Sequence, residues 1–220
     1  MGIRVKICGL TSLEEALLAA EAGADLLGFD LRPRSPRRLT VREVKGIVAE
    51  LRRRLVPPPL LVGVFADEGP DRIRLILEDA GLDLAQLAGS EPPFELKQLG
   101  GRAFKVIRPD GPEAALAAVG VYAPYVPREP DRPAFLVEPH VPWGWGEEAA
   151  PRLSLDGARF AAAGMRILLG GLSPETVAAA VAAFRPWGVD AVEGVEREVG
   201  VKDPERLRAF IAAARRASGV

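Results

Sequence analysis

The chain has 220 residues, 48% apolar and 27% charged, with 29 Lys and Arg set against 30 Asp and Glu. That balance offers no basic excess to draw nucleic acid, and no apolar run approaches the roughly 20 residues that span a bilayer. A lone cysteine excludes an internal disulfide, and the N-terminus, MGIRVKICGL, lacks the apolar core of a signal peptide, so the expected compartment is the cytoplasm.

Taken in order, short apolar runs alternate with amphipathic stretches of helical period. IRVKI (3–7) leads into SLEEALLAAEAG, ADLLGFD (24–30) into TVREVKGIVAELRRRL, and LLVGVF (60–65) into GPDRIRLILEDAG. LDLAQL (82–87) precedes EPPFELKQLGG, and AFKVI (103–107) precedes GPEAALAAV. The Pro-rich YAPYVPREPDRPA (122–134) reads as a surface loop delivering the chain into AFLVE (134–138). A helical segment is expected around 151–163; MRILL (165–169) then leads into SPETVAAAVAAF, and VDAV (189–192) into DPERLRAFIAAARRA. Helix starts are signalled by Ser12 or Thr11 ahead of Glu14 and Glu15, by Ser173-Pro174-Glu175 and by Asp203-Pro204-Glu205. Gly23, Gly81 and Gly164 are expected helix stops.

Eight strand–helix units with near-continuous apolar strands predict an α/β fold, a closed (β/α)8 TIM barrel forming one domain over residues 1–220. An open doubly wound sheet is the rival, but no G-x-G-x-x-G follows the first strand. Reactive side chains in such barrels lie at the C-terminal strand ends. That rule selects Cys8 after the first strand, Asp30 after the second, Gln86–Ala88 at the fourth, Glu138 after the sixth, Gly170 and Gly171 after the seventh, and Glu193 and Gly194 after the eighth. Cys8 is either a small buried hydrophobe or a thiolate base. Glu138 is either a solvated loop carboxylate or a general acid or base that apolar walls would strengthen. His140 is placed to bond Glu138 or to face solvent, and Trp143 and Trp145, in a loop-like PWGWG, suit a platform for a flat ligand. LLGGLSPE (168–175) resembles a phosphate cradle, with glycines that admit an anion to the backbone and a capped helix behind them. One His and one Cys at distant positions give no zinc spacing, although clustered carboxylates are compatible with Mg²⁺; no metal and no organic cofactor is expected.

Taken together, VKICGLT, GADLLGF followed by RPRSPRRLT, VGVFADEGPDRI, GLDLAQLAGSEPP, LLGGLSPETV and VDAVEGVEREVGVKD resemble, in the same order, the blocks of the phosphoribosylanthranilate isomerase family of tryptophan biosynthesis. The resemblance covers nearly the whole chain. It implies a (β/α)8 barrel and an Amadori rearrangement in which a thiol base and a carboxylic acid move protons across an aminoaldose. By position it assigns Cys8 as the base, Glu138 to the place of a general acid that is normally Asp, and Arg37 to the anthranilate carboxylate.

Departures from that pattern gather at the strand ends. QLAG carries Ala88 where the family has His; GFDL carries Asp30; DAVEGVE places Val192 and Glu193 where serines are usual; and GWGEEAA, with Glu147 and Glu148, replaces a Gly-rich loop. A carboxylate about 4 Å from a phosphate charge, at an effective dielectric near 20, is repelled by about 4 kcal/mol per charge pair. These departures favour the expectation of a repurposed barrel, engineered or diverged, with carboxylate-base abstraction of a proton from carbon of a small, flat, non-phosphorylated aromatic substrate, of the Kemp-elimination type. The alternatives are a working isomerase, monomeric or homodimeric, and a non-catalytic binding scaffold. A Glu193 side chain pointing away from the phosphate position favours the isomerase.

Overall fold

The computed structural model describes residues 2–110, 112–138 and 164–219. Eight parallel strands close into a barrel in sequence order: β1 (Arg4–Ile7), β2 (Leu26–Asp30), β3 (Leu60–Phe65), β4 (Leu84–Leu87), β5 (Ala103–Ile107), β6 (Phe135–Val137), β7 (Ile167–Leu169) and β8 (Gly188–Ala191). β8 closes on β1, with Arg4, Val5, Lys6 and Ile7 opposite Gly188, Val189, Asp190 and Ala191. Among the described residues the helices are α1 (Leu13–Glu21), α2 (Val41–Arg54), α3 (Pro70–Ala80), α4 (Pro93–Gln98), α5 (Pro112–Tyr122), α6 (Val177–Phe184) and α7 (Pro204–Ala217). The open-sheet rival is excluded by the closure. The helix expected around 151–163 lies outside the described residues.

Period-two alternation divides the apolar residues into two layers. Leu26, Val62, Val64, Leu84, Phe104, Val106, Leu136 and Leu168 pack together as the barrel's own filling. Their neighbours, among them Leu27, Phe29, Leu61, Leu87, Phe135, Leu169 and Val189, face outward into the larger core shared with the helices. This explains why the strands read as continuous apolar runs: both faces are covered.

Local chemistry places the helix ends. Ser12 caps α1 by accepting from Glu15 N, and Thr40 and Glu43 form a capping box on α2. Asp203 accepts from Glu205 N and Arg206 N with Pro204 behind it. Gly81 ends α3 in the left-handed region at φ 71°. The Ser173 cap did not form as expected: α6 begins at Val177, because Ser173 N donates instead to Thr176 Oγ1 and the intervening residues make a turn. A short antiparallel pair, β9 (Glu196–Glu198) and β10 (Val201–Lys202), follows β8 and was not foreseen; a Gly200 at φ 82° makes its turn. At the N-terminal face, Asp25 and Asp83, each just ahead of a strand, accept from Val5 N and Leu61 N of the preceding strand and pair with arginines. This face carries stabilising pairs, leaving the opposite one for chemistry.

Candidate active site

The C-terminal mouth is built by extending the inward register of each strand by one step. β1 presents Lys6 and then Cys8; β2 presents Gly28 and Asp30; β4 presents Gln86 and Ala88; β6 leads to Glu138, β7 to Gly170, and β8 presents Asp190 and then Val192. Cys8, Ala88 and Val192 accordingly pack with the barrel filling.

Cys8 is buried, its N–H bound to Ala191 O. Gly28 makes room for the sulfur: a Cβ there would lie 2.5 Å from Cys8 Sγ. Burial raises the thiol above its ordinary value, and Lys6 pulls against that rise. Glu138 lies at the end of β6, partly exposed, with Oε2 2.8 Å from Arg108 Nη2. Arg108, one residue past β5, also donates to Ala88 O at 3.0 Å, so it bridges the ends of β4 and β6. Gly170 lets the Glu138 stem lie against β7, since a Cβ there would meet Glu138 Cγ at 2.9 Å. Arg32 also reaches the mouth, where it interacts electrostatically with Asp30, Cys8 and Glu138.

Asp30 faces inward as expected, but it is occupied. Arg32 grips it with Nη2 2.6 Å from Oδ2 and Nε 2.9 Å from Oδ1, Arg32 N donates at 3.0 Å, and Ser35 Oγ donates at 2.6 Å. Burial alone would raise its carboxyl; the Arg32 and Ser35 bonds overcome this and hold it below the usual range. Asp30 therefore anchors the turn after β2, and a carboxylate so satisfied is a weak base. Glu193 departs further from expectation: its side chain is 82% exposed and its Oε1 is 3.5 Å from Arg37 Nη2. It leans to solvent, so the predicted repulsion of a phosphate is not built into the mouth.

Arg37 is buried and forked onto Glu196, Nε to Oε1 at 2.7 Å and Nη2 to Oε2 at 2.6 Å. Lys202, also buried, holds the same Glu196 at 2.9 Å and donates to Val192 O. Gly171 has φ 71°, and Gly194 packs so tightly on the β7 loop that a Cβ would come 2.2 Å from Leu172 O. The two loops after β7 and β8 thus meet backbone to backbone where Gly194 lies against Leu172 and Ser173. His140, Trp143 and Trp145, and with them Glu147 and Glu148, lie outside the described residues.

Lys6, Asp190 and Arg108 were not anticipated as site residues, whereas Gln86 stood at the expected end of the fourth strand. Lys6 and Asp190 lie within β1 and β8 and line the lumen, 2.7 Å apart. Gln86 is buried there too, and its Oε1 finds no hydrogen-bond donor among the described residues. The alternation of β4 was enough to find it. Among the described residues no three His, Cys, Asp or Glu gather as a metal site needs, and no helix is long and apolar enough to cross a membrane.

A thiol and a carboxyl at strand ends, with a buried arginine and two glycine loops nearby, sit at the C-terminal mouth of a (β/α)8 barrel, the face where barrel enzymes carry their chemistry. The comparisons make this specific. The family model described as N-(5′-phosphoribosyl)anthranilate (PRA) isomerase matches residues 5–121 and 154–213, and the chain belongs to that family. The N-(5′-phosphoribosyl)anthranilate isomerase of Myxococcus xanthus (strain DK1622) is 39% identical over 219 residues, 98% of this chain and 97% of that protein. A phosphoribosyl anthranilate isomerase solved in complex with reduced 1-(o-carboxyphenylamino)-1-deoxyribulose 5-phosphate superposes with TM-score 0.80 at 30% identity, over 96% of this chain and 98% of the other. Monomers made from the dimeric enzyme of Thermotoga maritima superpose with TM-score 0.79 at 30% identity, with the same coverage.

These findings overturn the expectation of a repurposed site for Kemp-type proton abstraction. The full-length match to isomerases favours the alternative, and the physical premise of the expectation fails with Glu193 turned outward and Asp30 already bonded.

Proposed function

We propose that the chain is an N-(5′-phosphoribosyl)anthranilate isomerase of tryptophan biosynthesis, working as a monomer or homodimer on a small phosphorylated substrate by an Amadori rearrangement. The observation that carries this reading is the arrival of Cys8 and Glu138 at inward strand-end positions of one mouth, in a chain of this family. Glu138 donates a proton to the furanose ring oxygen as the C1′–O bond breaks, leaving an iminium at C1′. The Cys8 thiolate removes the proton from C2′, and the electron pair moves toward C1′ to give an enolamine. Protonation at C1′ and loss of the C2′ hydroxyl proton yield the aminoketose, so the product is an isomer of the substrate.

Arg37 receives the anthranilate carboxylate. Its fork onto Glu196 engages two of five N–H groups, which leaves donors for a ligand. The loops at Gly171 and Gly194 receive the phosphate, and Gln86 Oε1 accepts a bond from a substrate hydroxyl. A relative solved in complex with reduced 1-(o-carboxyphenylamino)-1-deoxyribulose 5-phosphate supports a phosphorylated aryl carboxylate as the class of ligand.

Steady-state turnover of N-(5′-phosphoribosyl)anthranilate by the purified protein tests the reading. Saturable isomerisation is expected, with kcat reduced about 10²–10⁴-fold in Cys8→Ala and in Glu138→Gln. No turnover by the unsubstituted protein, or full activity in both variants, refutes it.

A further inference from the structure

Directly beneath the mouth, the lumen holds a fully buried ion pair. Lys6 Nζ lies 2.7 Å from Asp190 Oδ1, with side-chain exposures of 0% and 1%. The two residues are register partners across the seam where β8 closes on β1, and Cys8 is the next inward residue on β1. Stability does not account for such a pair: desolvating two charges cancels most of their attraction, and apolar residues of like volume serve a core as well or better. The buried ammonium lies one inward step of β1 below Cys8, and its charge acts on the thiol as well as on Asp190. The groups around the sulfur oppose one another. Asp190 and Asp30 disfavour negative charge on it, Lys6 favours it, and Lys202 and Arg32 add positive fields from the β10 and β2 sides. Lys202 is committed to Glu196 and Val192 O, and Arg32 to Asp30, which leaves Lys6, on the same strand as Cys8 and one inward step away, as the cation whose charge bears most directly on the thiol.

We propose that Lys6, steadied by Asp190, is a positioning residue for the base: its buried ammonium, held one inward step below Cys8 on β1, supplies the positive charge that favours the thiolate. This role rests on the assignment of Cys8 as the base. Asp190 has two opposed effects in this arrangement. It fixes the lysine in place, and its own charge restrains the thiolate, so the sulfur is kept basic enough to take a proton from carbon.

Cys8 is the chain's single cysteine, so the pH dependence of its ¹³Cβ chemical shift, in protein labelled at cysteine, titrates that thiol alone. The titration is run on the unsubstituted protein and on Lys6→Met, Lys6→Arg, Asp190→Asn and the double variant Lys6→Met/Asp190→Leu, which restores an apolar lumen if Lys6→Met does not fold. Loss of the lysine charge should move the midpoint up by about 1–3 pH units. Asp190→Asn should move it down, and Lys6→Arg should return it toward the starting value. The acid limb of the kcat/KM profile should move in the same direction in each folded variant. A purely structural pair would leave the midpoint in place, or shift it in the same sense in both single variants, and either result overturns the proposal. Shifted titrations with an unmoved kcat/KM profile would remove Cys8 as the base, and its positioning residue with it. Shifts in both measurements support the two together.

Discussion

At the residue scale, the site depends on charges whose partners decide what they can do. Arg37 and Asp30 are both buried and charged at the mouth, but Asp30 has three donor groups on it while Arg37 keeps donors to spare. Replacing Arg37 by Lys preserves the charge that balances Glu196 and loses the planar fork. The expected result is a KM about tenfold higher, equivalent to about 1.4 kcal/mol, with kcat little changed, because the contact to the aromatic carboxylate is made equally in ground and transition states. Steady-state kinetics checks this; a fall in kcat at constant KM would place Arg37 in the chemical step instead. The residues that misled the sequence reading did so for a local reason. Asp30 reads as an unclaimed acid at a strand end, yet Arg32 and Ser35, two and five positions on, were already present to claim it. Glu193 reads as an anion beside a phosphate loop, but a single turn of 3-10 helix from Glu193 to Val195 directs it outward.

At the element scale, the strands were legible because their register is strict. Cys8, Glu138, Gly170 and Gly194 follow the ends of apolar runs, and the structure places each just past its strand, at the end of the barrel where enzyme chemistry sits. Lys6 and Asp190 were not singled out because they lie within strands and not at their ends; in a closed barrel the lumen is equally available to a paired group. Arg108 was missed because it lies one residue beyond β5 and its partners, Ala88 O and Glu138, come from two other strands. The β9–β10 hairpin was missed because EREVGVK has too few apolar residues to mark strands. The meeting of the β7 and β8 loops yields a sharper expectation. In Gly194→Ala the new Cβ has only backbone to push against, 2.2 Å from Leu172 O, so the two loops must separate. KM for the phosphorylated substrate should rise at least about tenfold, and competitive inhibition by inorganic phosphate should weaken in parallel. Inhibition kinetics reads both, and unchanged phosphate inhibition would show that the anion is held elsewhere.

At the scale of the whole molecule, the barrel divides its work between its ends. The N-terminal face spends its charges on strand-capping pairs at Asp25 and Asp83, whereas the C-terminal face places a thiol, a carboxyl, an arginine and two glycine loops around one opening. The architecture was readable from eight alternating units; the reaction was harder, since its polarity depends on side-chain directions that spacing does not specify. The measurement that bears most directly on the account is a crystal structure of the protein with a reduced, non-isomerising product analogue of the kind bound in the solved relative. The account predicts the phosphate against the backbone at Gly171 and Gly194, the aryl carboxylate on Arg37, and the C1′–C2′ segment between Cys8 Sγ and Glu138. A ligand bound with its phosphate away from those glycines, or with Cys8 and Glu138 on the same side of the reacting carbons and out of reach, would contradict it.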